Sequence, residues 1–232
     1  MPEPVTAFSI RRLIIVPALI TLAVTLLRLA GELQRWSPKL FSREAGGAGA
    51  IIGIVWLVPI FAIYFALKLN RAGRGPSSRG RAIRFALAAV VTEFVFIFAV
   101  SKLSPAIGVT IVVINVASLI PLWIAYRGWT ELGKVQVAYG LAARIPVAVL
   151  MFVAMAANWG THYELGPPGL PQMSLVSKWV LIGLLPQLSF WIAFTAIVGL
   201  LFGSLALLFQ RHREVTESAS HQPPAKGLGA HP

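Results

Sequence analysis

Glu93 sits in the run "VVTEFVFIF" as the one ionisable group of an otherwise apolar stretch. An ionised carboxylate deep in a bilayer costs about 2.5–3.5 kcal/mol even on lenient insertion scales, so it must face protein or water or stay protonated. Counting about 1.5 Å per residue, Glu93 lies about 15 Å from the inner end of its apolar span. Asn115 and Gln187 fall at broadly similar depth in two other spans. Two chemistries fit such a trio. One is a proton or cation site, for which Glu93 and Asn115 can meet across a short hairpin. The other is interhelical hydrogen bonding, worth about 0.6–2 kcal/mol per contact.

A second set lies at the other end of the spans. Arg28 and Glu32 are four residues apart and can pair on one helix face. His162 and Glu164 lie in "NWGTHYELGPPG", a loop rich in Gly and Pro. Together these four form a candidate outer-interface site, for an anionic ligand or for chemistry on a lipid. One histidine and one glutamate fall short of the three or four ligands of a zinc site, and there is no HExxH motif. No catalytic residue, metal ligand or cofactor is therefore expected, and an enzyme is the less favoured class.

The elements that must position these residues follow from composition. The chain has 232 residues, 57% hydrophobic and only 12% charged. A soluble domain carries about 25% charged residues. Here the apolar residues come in blocks near the roughly 20 needed to cross a bilayer as a helix. Cysteine is absent, which excludes disulfides and thiolate chemistry; all eight acids are glutamates, which excludes sites built on aspartate. The net charge of +12 is read as lipid-facing rather than as a nucleic-acid footprint.

Six spans can be drawn, near residues 13–29, 50–69, 83–100, 106–126, 141–157 and 179–209. The expected fold is all-α: a polytopic integral membrane protein, one six-helix bundle over residues 1–210, with a disordered cytoplasmic tail over 211–232. Arg11 and Arg12 precede the first span, but no small-residue cleavage site follows, so it reads as an uncleaved helix. Fourteen Lys and Arg fall on one side of this arrangement, Arg144 among them, and six on the other. The positive-inside rule then puts both termini in the cytoplasm of a multi-pass cell-membrane protein. The loop "NRAGRGPSSRGR" is expected to lie on anionic head groups.

Finer expectations concern local structure. The strip from Gln34 to Phe41 mixes aromatic and basic residues as an interfacial helix does. The last span exceeds what one upright helix needs, so it should tilt, project beyond the bilayer or kink at Pro186. Gly49 with Gly53, and Gly199 with Gly203, have helix-packing spacing. "YRGWTEL" at 126–132 repeats the spacing of "LRLAGEL" at 27–33, as an inverted three-plus-three repeat would. Three functions fit: a small transporter or channel, working alone or as a homo-oligomer; a non-catalytic subunit packing on a membrane partner; and a lipid-modifying enzyme.

Overall fold

The computed structural model describes residues 9–47, 49–103 and 106–220, without the side chains of 211–220. It is all-helical among the described residues, with five helices long and apolar enough to cross a membrane. The first is α1, Ile10–Leu33, capped by the Ser9 side chain, which accepts from the Arg12 N–H. An irregular segment with a 3₁₀ turn at Ala45–Gly47 leads to α2, Leu57–Arg71. Then come α3 (Arg79–Leu103), α4 (Ile107–Ala117), α5 (Leu119–Gly128) and α6 (Thr130–Ala157). The last stretch is built from α7 (Leu175–Lys178), a π-helical segment (Trp179–Leu184), α8 (Leu185–Leu188) and α9 (Phe190–Ser220).

These helices are apolar on most faces, so hydrophobicity alone does not choose which face packs. Small residues do. On α3 the buried positions are Ala82, Ala86 and Ala89, while Phe94 and Phe98 point outward at 69% and 67% exposure. An outer surface of this kind suits lipid rather than water. The central helix is α9, which packs on α2, α3, α5 and α6. Its Gly203 makes that approach possible: a Cβ there would lie 3.0 Å from the Ala66 Cβ and 3.2 Å from the Ala62 carbonyl oxygen. Phe61, Phe65 and Tyr139 fill the space beside it with edge-on ring contacts.

Polar ties cross between helices near mid-length. Thr21 on α1 meets the Tyr139 hydroxyl on α6 at 2.7 Å. Arg144 on α6 donates to Gln187 on α8 at 3.4 Å. The Ser189 hydroxyl, at the α8–α9 junction, donates to Asn115 on α4 at 2.7 Å, and that of Ser118, at the α4–α5 junction, to Glu93 on α3 at 2.8 Å. In low dielectric each bond ties its pair of helices in register.

Several expectations are corrected. The second apolar run is helical only from Leu57, for 15 residues. Its outer part bends, because Gly49 holds φ +78° and Gly53 tucks against the Arg28 guanidinium, so this glycine pair does not pack helices. The strip from Gln34 to Phe41 is not a helix. Arg35 turns the chain at φ +53°, and Phe41 folds back onto Gly31, which has no side chain to obstruct it. The last stretch breaks at Ser189 (φ −120°, ψ −78°) rather than at Pro186 itself. Pro186 cannot donate to the Ile182 carbonyl, and the π segment lies just before it.

The tail expected to lack structure from Arg211 is helical through Ser220, and residues 221–232 lie outside the described ones. The two motifs quoted for an internal repeat take different local structures. Arg28 and Glu32 share one helix, whereas Trp129, extended at φ −152°, separates Arg127 on α5 from Glu131 on α6, which pairs with Arg74 and Lys134.

Candidate functional site

The last turns of α1 organise the site. Arg28 Nε donates to Glu32 Oε1 at 2.9 Å, and Arg28 Nη2 reaches the carbonyls of Ser42 and Gly47 at 3.1 and 3.0 Å. The backbone can come this close only because residue 47 is glycine, at φ +72°. A Cβ there would sit 2.9 Å from Arg28 Nη2 and 3.0 Å from His162 Cδ2. The Glu32 side chain is fully buried. It accepts from the His162 backbone N–H at 3.0 Å and from the ring Nδ1 at 2.5 Å, which fastens the loop after α6 to the end of α1.

Below this clasp lies a cavity of about 400 Å³. Arg28, His162 and Tyr163 line its upper part; Arg144, Gln187 and Trp191 line it deeper in the bundle, between apolar walls from α1, α4, α6 and the π segment. Arg144 is the unusual member. It lies midway along α6, about 20 Å from either end at about 1.5 Å per residue. It is 5% exposed. Its guanidinium stacks 4.5 Å over the Trp191 ring and donates to the Gln187 carbonyl oxygen. No carboxylate bonds to it among the described residues, and its Nε and Nη2 make no hydrogen bond there. Burial, reinforced by the Arg28 charge, holds the His162 imidazole below its ordinary value despite the opposing pull of Glu32. Burial also raises the Tyr163 phenol. With His162 neutral and Arg28 cancelled by Glu32, the walls carry one net positive charge, on Arg144.

The two residue sets singled out in the sequence are divided by the structure. Arg28, Glu32 and His162 come together; Glu164 does not join them and accepts from the Gly160 N–H of its own loop. Of the mid-depth trio only Gln187 lines the cavity. Glu93 does not bond to Asn115 but to Ser118, while Asn115 accepts from Ser189 and from the Phe190 N–H at 3.4 Å. Hydropathy starts the fifth span at Leu141 and so puts Arg144 at its inner edge. The helix starts at Thr130, where Thr-Glu precedes a long periodic run, and that cue moves Arg144 to mid-depth. Among the described residues no three His, Cys, Asp or Glu side chains cluster as a metal site would require.

Compared with known proteins, the chain matches no protein family, no curated protein and no solved structure. The geometry of the cavity therefore carries the functional argument.

Proposed function

We propose that the chain is an integral membrane protein of six crossings, with both ends cytoplasmic, whose outward-facing cavity binds an oxyanion-bearing ligand for transport. α2, 15 residues long, completes the sixth crossing together with the bent segment before it. Moving Arg144 out of the cytoplasmic count leaves the excess of basic residues on that side intact. The breaks at Ser118 and Ser189 and the π segment supply the irregular helices on which transport motions turn.

One observation carries the reading: Arg144, buried at mid-depth beside a cavity and without a counter-carboxylate among the described residues. A charge in low dielectric costs several kcal/mol unless it is compensated. Stacking on Trp191 and one long hydrogen bond compensate it only in part. A ligand anion would complete the compensation. A cation or a proton would meet repulsion there, which turns the transport reading from cations to anions. A scaffolding subunit accounts for the interhelical ties but has no use for an uncompensated arginine. A lipid-modifying enzyme could use His162, oriented by Glu32, as a base. However, among the described residues no nucleophile bonds to that ring.

The test is the sign of a stability change. Purified protein in detergent is unfolded thermally with and without phosphate, at matched ionic strength in chloride. Arg144→Gln should raise the midpoint of the phosphate-free protein, and phosphate should raise that of the wild type alone. A variant less stable than wild type, with both responding equally to phosphate, would mean that Arg144 is structural.

A further inference from the structure

We infer that the ligand is an amphiphile: its phosphate or carboxylate head lies between Arg28 and Arg144, and its alkyl chain leaves the cavity sideways between α1 and α4 into the surrounding lipid. This rests on the anion reading above and adds the other half of the molecule.

Volume is the first argument. A bare phosphate or carboxylate fills the space of about two or three waters, at about 30 Å³ each. The cavity is about 400 Å³, within the ordinary range for organic ligands. A small anion would leave most of it empty over apolar walls, where water gains few partners.

The walls give the second argument. Val24 from α1, Val55 from the bent segment, Ile111 from α4 and Ile182 from the π segment all line the cavity. α1 packs on α6 and α2, whereas α4 packs on α3, α5, α8, α9 and the π segment. The cavity lies between these two groups of helices. Exposed apolar residues flank these: Ile20 and Leu27, about one turn to either side of Val24 on α1, and Val112 beside Ile111 on α4. A chain leaving on this side stays in an apolar environment throughout.

Donors give the third. Arg28 spends Nε and Nη2 on the clasp, and its Nη1 makes no hydrogen bond among the described residues. Arg144 keeps Nε and Nη2 in the same state. Unused guanidinium nitrogens on two residues that line one cavity from two helices fit a head group with several oxygens.

The experiment uses full-length protein in nanodiscs of neutral phosphatidylcholine. The probes are inorganic phosphate, butyl phosphate, octyl phosphate and octanol. Binding is read from the Trp191 fluorescence, isolated by subtracting a Trp191→Phe variant. Each methylene buried should raise affinity about fourfold. Octyl phosphate should therefore bind at least a hundredfold more tightly than inorganic phosphate, with butyl phosphate between and octanol silent. Arg144→Gln should abolish the octyl phosphate signal. Ile111→Trp, which narrows the gap while leaving the charges in place, should weaken octyl phosphate and spare inorganic phosphate. Equal affinities for inorganic and octyl phosphate would overturn the amphiphile and leave the anion reading standing. Octanol binding as well as octyl phosphate, or no probe binding at all, would overturn both.

Discussion

Glu32 and His162, 130 positions apart, meet twice: the carboxylate takes the backbone N–H of His162 on one oxygen and its ring Nδ1 on the other. With Arg28 also donating, a fully buried carboxylate has all its partners. Glu32→Ala leaves Arg28 Nε and the ring and backbone N–H of His162 without their acceptor, while Arg28 Nη2 keeps the Ser42 and Gly47 carbonyls. The loss should be about 3–5 kcal/mol, as for one partner stripped from a buried pair. In a double-mutant cycle, Arg28→Ala combined with Glu32→Ala should cost less than the sum of the singles. Additive losses in thermal unfolding would show that the pair is not coupled.

The same clasp sets a pH dependence. Burial and the Arg28 charge lower the folded-state value of His162 below the ordinary ~6.5, with Glu32 opposing and the Tyr163 ring tilted against the imidazole. As pH falls below about 6.5, the unfolded chain takes up a proton that the folded state refuses. His162 thus contributes stability that is complete above that pH and is lost on further acidification. His162→Asn places an amide donor near the Nδ1 position and removes the titration. Between pH 7.5 and 5.5 its melting temperature should fall less steeply than that of the wild type. Parallel curves would assign the acid sensitivity to other groups.

How much of this was legible depends on range and on backbone detail. The Arg28–Glu32 pair follows from a spacing of four on a helix, which sequence shows directly. Its third member does not, because nothing local relates a loop histidine to a carboxylate on the first helix. The long helices are legible as apolar blocks. The start of α2 is not, because "AIIGIVWLV" reads as one run while Gly49, at φ +78°, turns the backbone before it and Gly53 lies against Arg28. Arg144 was visible as a residue but not as a depth, since hydropathy finds where a helix becomes apolar rather than where it begins. The strip after α1 has the composition of an interfacial helix, and a left-handed Arg35 with a side chain packed on Gly31 overrides it.

Packing at α9 gives a third prediction. Gly203→Ala puts a methyl 2.6 Å from Leu132 Cδ2, which can move, and within 3.2 Å of the α2 backbone, which cannot without parting the helices. The cost should be about 1–3 kcal/mol, the range for overpacking a well-filled core. Gly80 on α3 has nothing within 4 Å of an added Cβ. Gly80→Ala should then be neutral or stabilise by up to about 1 kcal/mol through helix propensity. Equal effects at the two sites in thermal unfolding would show that α9 does not need its glycine.

The last prediction concerns Glu93. Its Oε1 accepts from the Ser118 hydroxyl at 2.8 Å, and Oε2 is buried without a partner among the described residues. The same hydroxyl lies 2.8 Å from the Ile114 carbonyl oxygen, and having one proton it can serve only one of the two at a time. An amide at position 93 resolves that competition, because its N–H₂ can donate to Ser118 and release the hydroxyl for Ile114. Glu93→Gln should therefore fold as well as the wild type and keep the phosphate-dependent stabilisation that depends on Arg144. Glu93→Leu deletes the tie between α3 and the α4–α5 junction and should lose about 0.6–2 kcal/mol. Its anion response should be unchanged, since Glu93 does not line the cavity. Both variants are measured on the same preparations, by thermal unfolding and by proton and phosphate flux in liposomes. If Glu93→Gln stays folded but stops flux, Glu93 is a working carboxylate rather than a tie. If Glu93→Leu is as stable as the wild type, the bond to Ser118 does not hold the helices together.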